Sequence, residues 1–363
     1  MLQKRKLGRT GLQVSIVGFG GTWISQLNKN EALKVVRRAF DLGINYFDTA
    51  KLDGDSEEKI GEALKDVRTD CILATKTASR TKGASLIDFK TSLHHLKTDW
   101  LDLIQLHGID DLKTLRKAIG PGGSLEMCKK ARSEGMVNYI GITGHKPLTL
   151  IKSIETNEFD TVLVPLNIVT RQALEKLIPL AKDLDIGVVI MKPFSAKTSK
   201  LVTCLYQPSL SLLSDEPELK SLLGQSTSLM VSNALRFILA QDISVVIPGL
   251  RSIEEVETVA KVGQNYTKLT EVEKDTYRIL LDTNHCRDCG FCLTCPKNLD
   301  IAAILRFHTL FADYGIRNWA KKLYNGLEVN VGDCIECGEC EQQCPYNLPI
   351  INMLHHAQSD LCF

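Results

Sequence analysis

The chain has 363 residues, 44% of them hydrophobic and 24% charged, with a net charge of +1. That balance accommodates a barrel-sized domain with an appendage, and gives no general electrostatic reason to bind nucleic acid or an acidic membrane. No apolar run approaches the roughly 18 residues of a membrane span, and the polar start Met1-Leu2-Gln3-Lys4-Arg5-Lys6 shows no signal peptide, so a cytoplasmic protein is expected.

In chain order, a short polar hairpin precedes eight apolar strand-like runs, near 15–21, 46–50, 71–77, 102–107, 139–143, 161–167, 187–193 and 244–249. Helix-period segments lie between them, among them 30–42, 56–67, 86–96, 124–133, 171–184 and 253–262. In 30–42, Leu33, Val36 and Phe40 recur three or four residues apart, with Arg37, Arg38 and Asp41 largely off that stripe. Gly43 and Gly135 stand where a left-handed cap would close a helix. Eight strand–helix repeats with short loops predict a (β/α)8 TIM barrel over residues 1–268. An open doubly wound sheet would need Gly-x-Gly-x-x-Gly after its first strand, and Gly18, Gly20 and Gly21 have the wrong spacing. The connection 195–230, with Pro208 and Pro217, is long, as lids and binding loops are. A linker helix is expected over 269–284, leading to a cysteine-rich end over 285–363.

That end carries six basic and nine acidic side chains against 38 and 34 in the rest of the chain. Eight of the twelve cysteines lie in it as two runs, Cys286, Cys289, Cys292, Cys295 and Cys334, Cys337, Cys340, Cys344, each closed by a proline. Such close spacing is a metal pattern and not a disulfide framework. It brings thiolates to one face of a small loop, and an iron–sulfur cubane needs four soft sulfur ligands. Two zinc sites are the alternative, since four cysteines also hold zinc. In two-cluster ferredoxins the fourth cysteine of each run serves the other cluster. By that rule Cys286, Cys289, Cys292 and Cys344 hold one [4Fe-4S] cluster, and Cys334, Cys337, Cys340 and Cys295 the other. Apolar residues at helical spacing over 302–324 predict helices between the runs, hence a small, mainly α-helical ferredoxin-like domain. Cys71, Cys128, Cys204 and Cys362 read as ordinary thiols.

Several barrel motifs carry a family resemblance. Arg9-Thr10-Gly11-Leu12 entering Gly18-Phe19-Gly20-Gly21, then Gly43-Ile44-Asn45-Tyr46-Phe47-Asp48-Thr49-Ala50, Ala74-Thr75-Lys76-Thr77, Leu106-His107 and Ile247-Pro248-Gly249 resemble, in order, the aldo-keto reductases. The resemblance spans about residues 4–265 and is nearest the branch with a C-terminal iron–sulfur domain. It implies a nicotinamide cofactor across the carboxyl end of the barrel and a catalytic Asp, Tyr, Lys and His. Asp48, Lys76 and His107 match three of these, while Asp53 stands where the family has its proton-donating tyrosine. An aspartate beside Lys76 is expected to be ionised, hence a base and not an acid.

The resemblance also implies cofactor contacts at Thr143, Asn167, Lys192, Pro248, Gly249, Arg251 and Glu255. Glu255 falls where an arginine often meets the 2′-phosphate of NADP, so NAD is expected over NADP. Gly144-His145 replaces the Ser-Asn usual near the nicotinamide amide. The leading expectation is an oxidoreductase acting on a small organic carbonyl or alcohol, with the clusters exchanging single electrons with a partner protein. A barrel that only binds a ligand or serves electron transfer is the competing one. The two are separated by whether Asp53 matters to turnover.

Overall fold

The apolar runs pair as one parallel sheet in the computed structural model, which describes residues 2–168, 170–194, 227–271, 286, 290–312 and 317–362. These residues form two compact units, one from the chain up to 194 with 227–271, the other from 286 onward.

In the first unit, β1 (Lys4–Lys6) and β2 (Gln13–Ser15) form an antiparallel hairpin. The sheet follows in chain order: β3 (Phe19–Gly20), β4 (Tyr46–Asp48), β5 (Ile72–Thr77), β6 (Leu101–Leu106), β7 (Val137–Thr143), β8 (Thr161–Pro165), β9 (Gly187–Met191) and β10 (Val245–Ile247). Each strand hydrogen-bonds in parallel to the next, β3 to β10. The ring closes where Gly18 N donates to Val246 O at 2.8 Å, Gly20 N to Pro248 O at 2.9 Å and Val246 N to Ile16 O at 3.1 Å. A Cβ on Gly20 would lie 2.8 Å from the Pro248 oxygen, so a side chain there would hold the seam open. The glycine run that fails as a dinucleotide motif is thus what lets the barrel close.

Parallel strands need crossovers on the outside and are buried on both faces. The crossovers are α1 (Lys29–Asp41), α2 (Ser56–Leu64), α3 (Lys82–Leu96), α4 (Leu112–Ile119), α5 (Ser124–Ser133), α6 (Pro147–Ile154), α7 (Leu177–Asp183), α8 (Thr227–Leu239) and α9 (Ile253–Gln264). Inside, alternate residues Tyr46, Ile72, Ala74, Leu103, Leu163, Val189, Val245 and Ile247 pack into one cluster with Leu7 and Val14 from the hairpin. The barrel is therefore filled, and its N-terminal end plugged.

Two boundaries differ from the sequence reading for local reasons. The run 15–21 splits because Asn45 Oδ1 takes the Ser15 N–H at 2.7 Å, removing that group from the barrel ladder. The segment 171–184 begins as a short 3-10 turn, Gln172–Leu174, and becomes α-helix only at Leu177. Pro179 is then the third helical residue, where a missing N–H costs no intrahelical bond. Most of the long connection, 195–226, lies outside the described residues, as do residues 272–284 of the expected linker helix and Cys204. Among the described residues, no helix is long and apolar enough to cross a membrane.

The second unit is helical: α10 (Ile301–Ala312), α11 (Arg317–Asn325), α12 (Glu339–Gln342) and α13 (Ile350–Leu361). Its two cysteine runs repeat a common frame. Gly290 and Gly338 sit at φ +81° and +76° before Cys292 and Cys340, a left-handed turn that other residues adopt only with strain. Asn298 and Asn347, at φ 57° and 50°, then follow Cys295-Pro296 and Cys344-Pro345. Buried Leu299 and Leu348 lead into α10 and α13.

Helices α2 and α3 cross at Gly61, where a Cβ would lie 2.5 Å from the Leu96 backbone. Alanine favours helix over glycine, but here the neighbour is backbone and cannot yield. Gly61→Ala should therefore lower stability by about 1–3 kcal/mol in denaturant unfolding. A more stable variant would contradict this packing.

Candidate active site and cluster domain

The alternation that fills the barrel also builds its polar mouth. Inward positions run 46–48 on β4, 72–74–76 on β5 and 103–105–107 along and beyond β6, so apolar residues give way to Asp48, Lys76, Gln105 and His107 at the C-terminal ends. Lys76 Nζ donates to Asp48 Oδ1 and, at 2.7 Å, to Thr49 O, while Gln105 Nε2 donates to Asp48 Oδ2 at 2.8 Å. Asp48 is 4% exposed and Lys76 7%. Burial raises the Asp48 pKa above the usual carboxylate value, outweighing Lys76 and Gln105. Gln105 was not singled out from sequence, although its inward parity with Leu103 and His107 marks it.

Asp53 stands on the half-turn between β4 and α2. Ser56 ties this turn to the β3 end through Thr49 Oγ1 and Gly21 O, both at 2.9 Å. Lys59 Nζ clamps it further, donating to Asp55 Oδ1 and Leu27 O at 2.7 Å. Asp53 is half-buried and accepts from Thr22 Oγ1 at 3.3 Å. Burial is the larger influence and raises the Asp53 pKa, with Asp48 and Glu57 adding to it against Lys76 and Thr22.

His107 is half-buried beyond β6, its N–H bonded to Thr77 O at 2.9 Å. Burial pushes its pKa down to about 4, and Lys76, Arg80 and His145 push the same way. Beside it, His145 Nδ1 lies 3.0 Å from Asp110 Oδ2 and its Nε2 lies 2.8 Å from Lys192 Nζ. Lys192 sits at φ +57°, a strained conformation for a non-glycine residue. Asn167 Nδ2 donates to Lys192 O at 3.1 Å, and Thr143 Oγ1 accepts from Gly108 N at 3.1 Å. The residues assigned from the resemblance at the ends of β7, β8 and β9 are thus engaged with the protein itself.

Pro248 serves the barrel seam through its carbonyl, and a Cβ on Gly249 would lie 2.2 Å from Trp23 Cδ1. Trp23 follows Thr22, so one short segment joins the β10 end to the Asp53 turn. Helix α9 is capped by the Ser252 hydroxyl, which accepts from Glu255 N at 3.1 Å. Glu255 Oε2 accepts from Arg251 N at 2.8 Å, and Oε1 lies 3.4 Å from Arg251 Nε. Glu255 is thus paired with Arg251, the residue placed to compensate its charge. A helix N-terminus suits a phosphate, and Ser252 and Glu255 already take up part of this one.

In the second unit, Cys286, Cys292 and Cys344 line one pocket with Leu305, Leu348 and Ile350. It draws thiols from both runs into apolar surroundings, which fits a cluster with crossed ligands. Cys289 lies outside the described residues. Burial, then Glu341, and then Cys334 and Cys337 raise the Cys340 pKa to about 11. Cys295 is half-buried against the same apolar core. Among the described residues, no three Cys, His, Asp or Glu side chains converge on a single metal-ion position.

The lowered pKa of His107 links it to stability. The folded state holds the ring neutral, so the unfolded chain takes up the proton first as pH falls. The associated stability is present above about pH 6.5 and is lost between there and about pH 4. His107→Gln should flatten that part of the stability–pH curve by on the order of 2–3 kcal/mol, measured against wild type. Parallel curves for the two proteins would show that His107 titrates normally.

Comparison with known proteins agrees with this architecture. The profile of the aldo/keto reductase family matches residues 16–275, and that of a 4Fe-4S dicluster domain matches 285–349. The chain is 30% identical over 298 residues to the uncharacterized oxidoreductase YqkF of Bacillus subtilis, covering 75% of this chain and 94% of that protein. It is 31% identical over 303 residues to L-galactose dehydrogenase of Arabidopsis thaliana, covering 75% and 89%. Among solved structures, aldo-keto reductase AKR11C1 from Bacillus halodurans in its holo form superimposes with a TM-score of 0.61 at 26% identity, covering 77% of this chain and 97% of that one. The chain belongs to the aldo/keto reductase family, as an oxidoreductase whose barrel is followed by a 4Fe-4S dicluster domain.

Proposed function

We propose that the barrel oxidises a small organic alcohol, with Asp53 as proton acceptor in place of the family's tyrosine. The observation that carries this reading is the placement of Asp53 within the electrostatic reach of Lys76 and Asp48 at the barrel mouth. A base works best when its pKa approaches the working pH, and the burial that raises Asp53 moves it that way. His107, kept neutral, donates a hydrogen bond to the substrate oxygen, and Lys76 stabilises negative charge developing there. Oxidised nicotinamide, when bound, supplies the hydride acceptor. Asn167 and Lys192 would hold its ring end, and the α9 N-terminus its phosphate. Because Arg251 and Glu255 neutralise one another, the site offers no surplus positive charge to a 2′-phosphate, which favours NAD. A relative named as a dehydrogenase of a sugar supports the direction of reaction.

Asp53→Asn should lower turnover by at least a hundredfold with little change in folding, as loss of a general base does. Unchanged turnover would sink the assignment. Asp53→Tyr should confer ordinary aldehyde reduction if the remaining machinery is intact. The second reading, a barrel that binds without catalysing, is favoured by the engagement of Lys192 with His145 and Asn167. It predicts no turnover change in either variant.

For the second unit, we infer two [4Fe-4S] clusters passing single electrons to a partner protein. Cys286, Cys289, Cys292 and Cys344 hold one cluster, and Cys334, Cys337, Cys340 and Cys295 the other. Support comes from the pocket that gathers Cys344 with Cys286 and Cys292. Anaerobically purified protein should contain about eight iron and eight sulfide per chain. Cys344→Ser should remove the cluster of the first run, read from iron content and spectra. Zinc without sulfide, or loss of the second run's cluster, would contradict the assignment.

A further inference from the structure

Arg80 lies on the loop after β5, and no motif or expected site includes it. It is half-buried, and its Nη2 donates to two consecutive backbone carbonyls, His107 O at 2.5 Å and Gly108 O at 3.2 Å. Two buried polar atoms in this neighbourhood have no hydrogen-bond partner: Arg80 Nη1 and His107 Nδ1. One is a donor without an acceptor. The other is a ring nitrogen that can be either.

We propose that Arg80 is a positioning residue that fixes the tautomer of His107, leaving Nδ1 unprotonated and the proton on Nε2. A neutral imidazole carries its proton on one nitrogen, and a proton on Nδ1 would be a buried N–H with nothing to accept it. A guanidinium keeps its charge at any working pH, and Arg80, anchored on the His107 carbonyl, acts on the ring as a fixed cation that disfavours added positive charge. An unprotonated Nδ1 has the opposite character, an acceptor in the field of a fixed cation. Anchoring on the carbonyls of residues 107 and 108 also holds the turn that orients the ring, between Thr77 O and Thr143 Oγ1.

The other charged groups that act on His107 agree in sign, with one exception. Lys76 on β5 and His145 beyond β7 disfavour a second proton, as Arg80 does, while Asp110 on the following loop favours it. Asp110 is held by the His145 ring and backbone N–H, which spends part of its charge elsewhere. The consequence is a ring that is a hydrogen-bond donor through Nε2. This is the state the proposed reaction needs at the substrate oxygen, and the inference rests on that reading for its purpose.

Spectra of the intact, cluster-loaded protein labelled with 15N-histidine test it without turnover. The His107 signals are assigned by their loss in His107→Gln. The expected result is the Nε2–H pattern with a protonation midpoint near 4. Arg80→Met should raise the midpoint by about one unit and mix the tautomers, whereas Arg80→Lys, which keeps the charge, should leave it low. An Nδ1–H pattern in the wild type overturns the proposal. So does an Arg80→Met protein whose tautomer and midpoint are unchanged, and if that variant does not fold, the wild-type tautomer decides. A protein that shows the Nε2–H tautomer but no nicotinamide-dependent turnover would count against the reaction and leave the role of Arg80 standing.

Discussion

The barrel mouth depends on one buried ion pair, Lys76 with Asp48. Both side chains are out of water, and a buried charge is tolerated only when it is paired and its remaining hydrogen bonds are met. Gln105 and the Thr49 carbonyl meet them. Three strands are thereby joined through side chains at the end where the barrel opens. The other site groups take their electrostatics from this pair: Asp53 is drawn down by Lys76 and pushed up by Asp48, and His107 is kept neutral partly by Lys76.

Such a pair contributes little net stability, since desolvation offsets most of the attraction. Its value is positional. Strand alternation places positions 48, 76, 105 and 107 inside, and the apolar cluster beneath them leaves no room for the charges to relax downward. The two other loops of the mouth are held by backbone acceptors: Lys59 and Ser56 lock the Asp53 turn, and Arg80 locks the turn after His107. Fixed charges over a packed interior are what electrostatic catalysis requires.

Much of this was legible in the sequence because period and spacing are local properties. Eight alternating runs implied the barrel, and Asp48, Lys76 and His107 were found by motif at strand ends. Gln105 carried the right parity but no motif. Arg80 could not be found, because its partners are carbonyl groups, and a carbonyl has no side-chain signature. The balance at Asp53 was only half legible for a related reason: a neighbouring lysine is visible in the sequence, whereas the burial that raises its pKa is a property of the whole fold. Glu255 and Arg251 were both visible in the sequence, but that they pair needed the structure. The cysteine runs pointed to a metal pattern, and the matching left-handed turns at Gly290 and Gly338 emerged from backbone angles.

A 4Fe-4S cluster exchanges single electrons, and no flavin motif is visible in the chain to convert between hydride and electron. The proposed hydride chemistry therefore needs the barrel alone: a dinucleotide site at its carboxyl end, built around Lys76 and Asp48. Anaerobic titration of the cluster-loaded protein with NADH and with NADPH, following nicotinamide fluorescence and cluster absorbance together, tests this most directly. Saturable binding of one nucleotide per chain, tighter for NADH, is the predicted result. Absence of saturable binding for both nucleotides would contradict it.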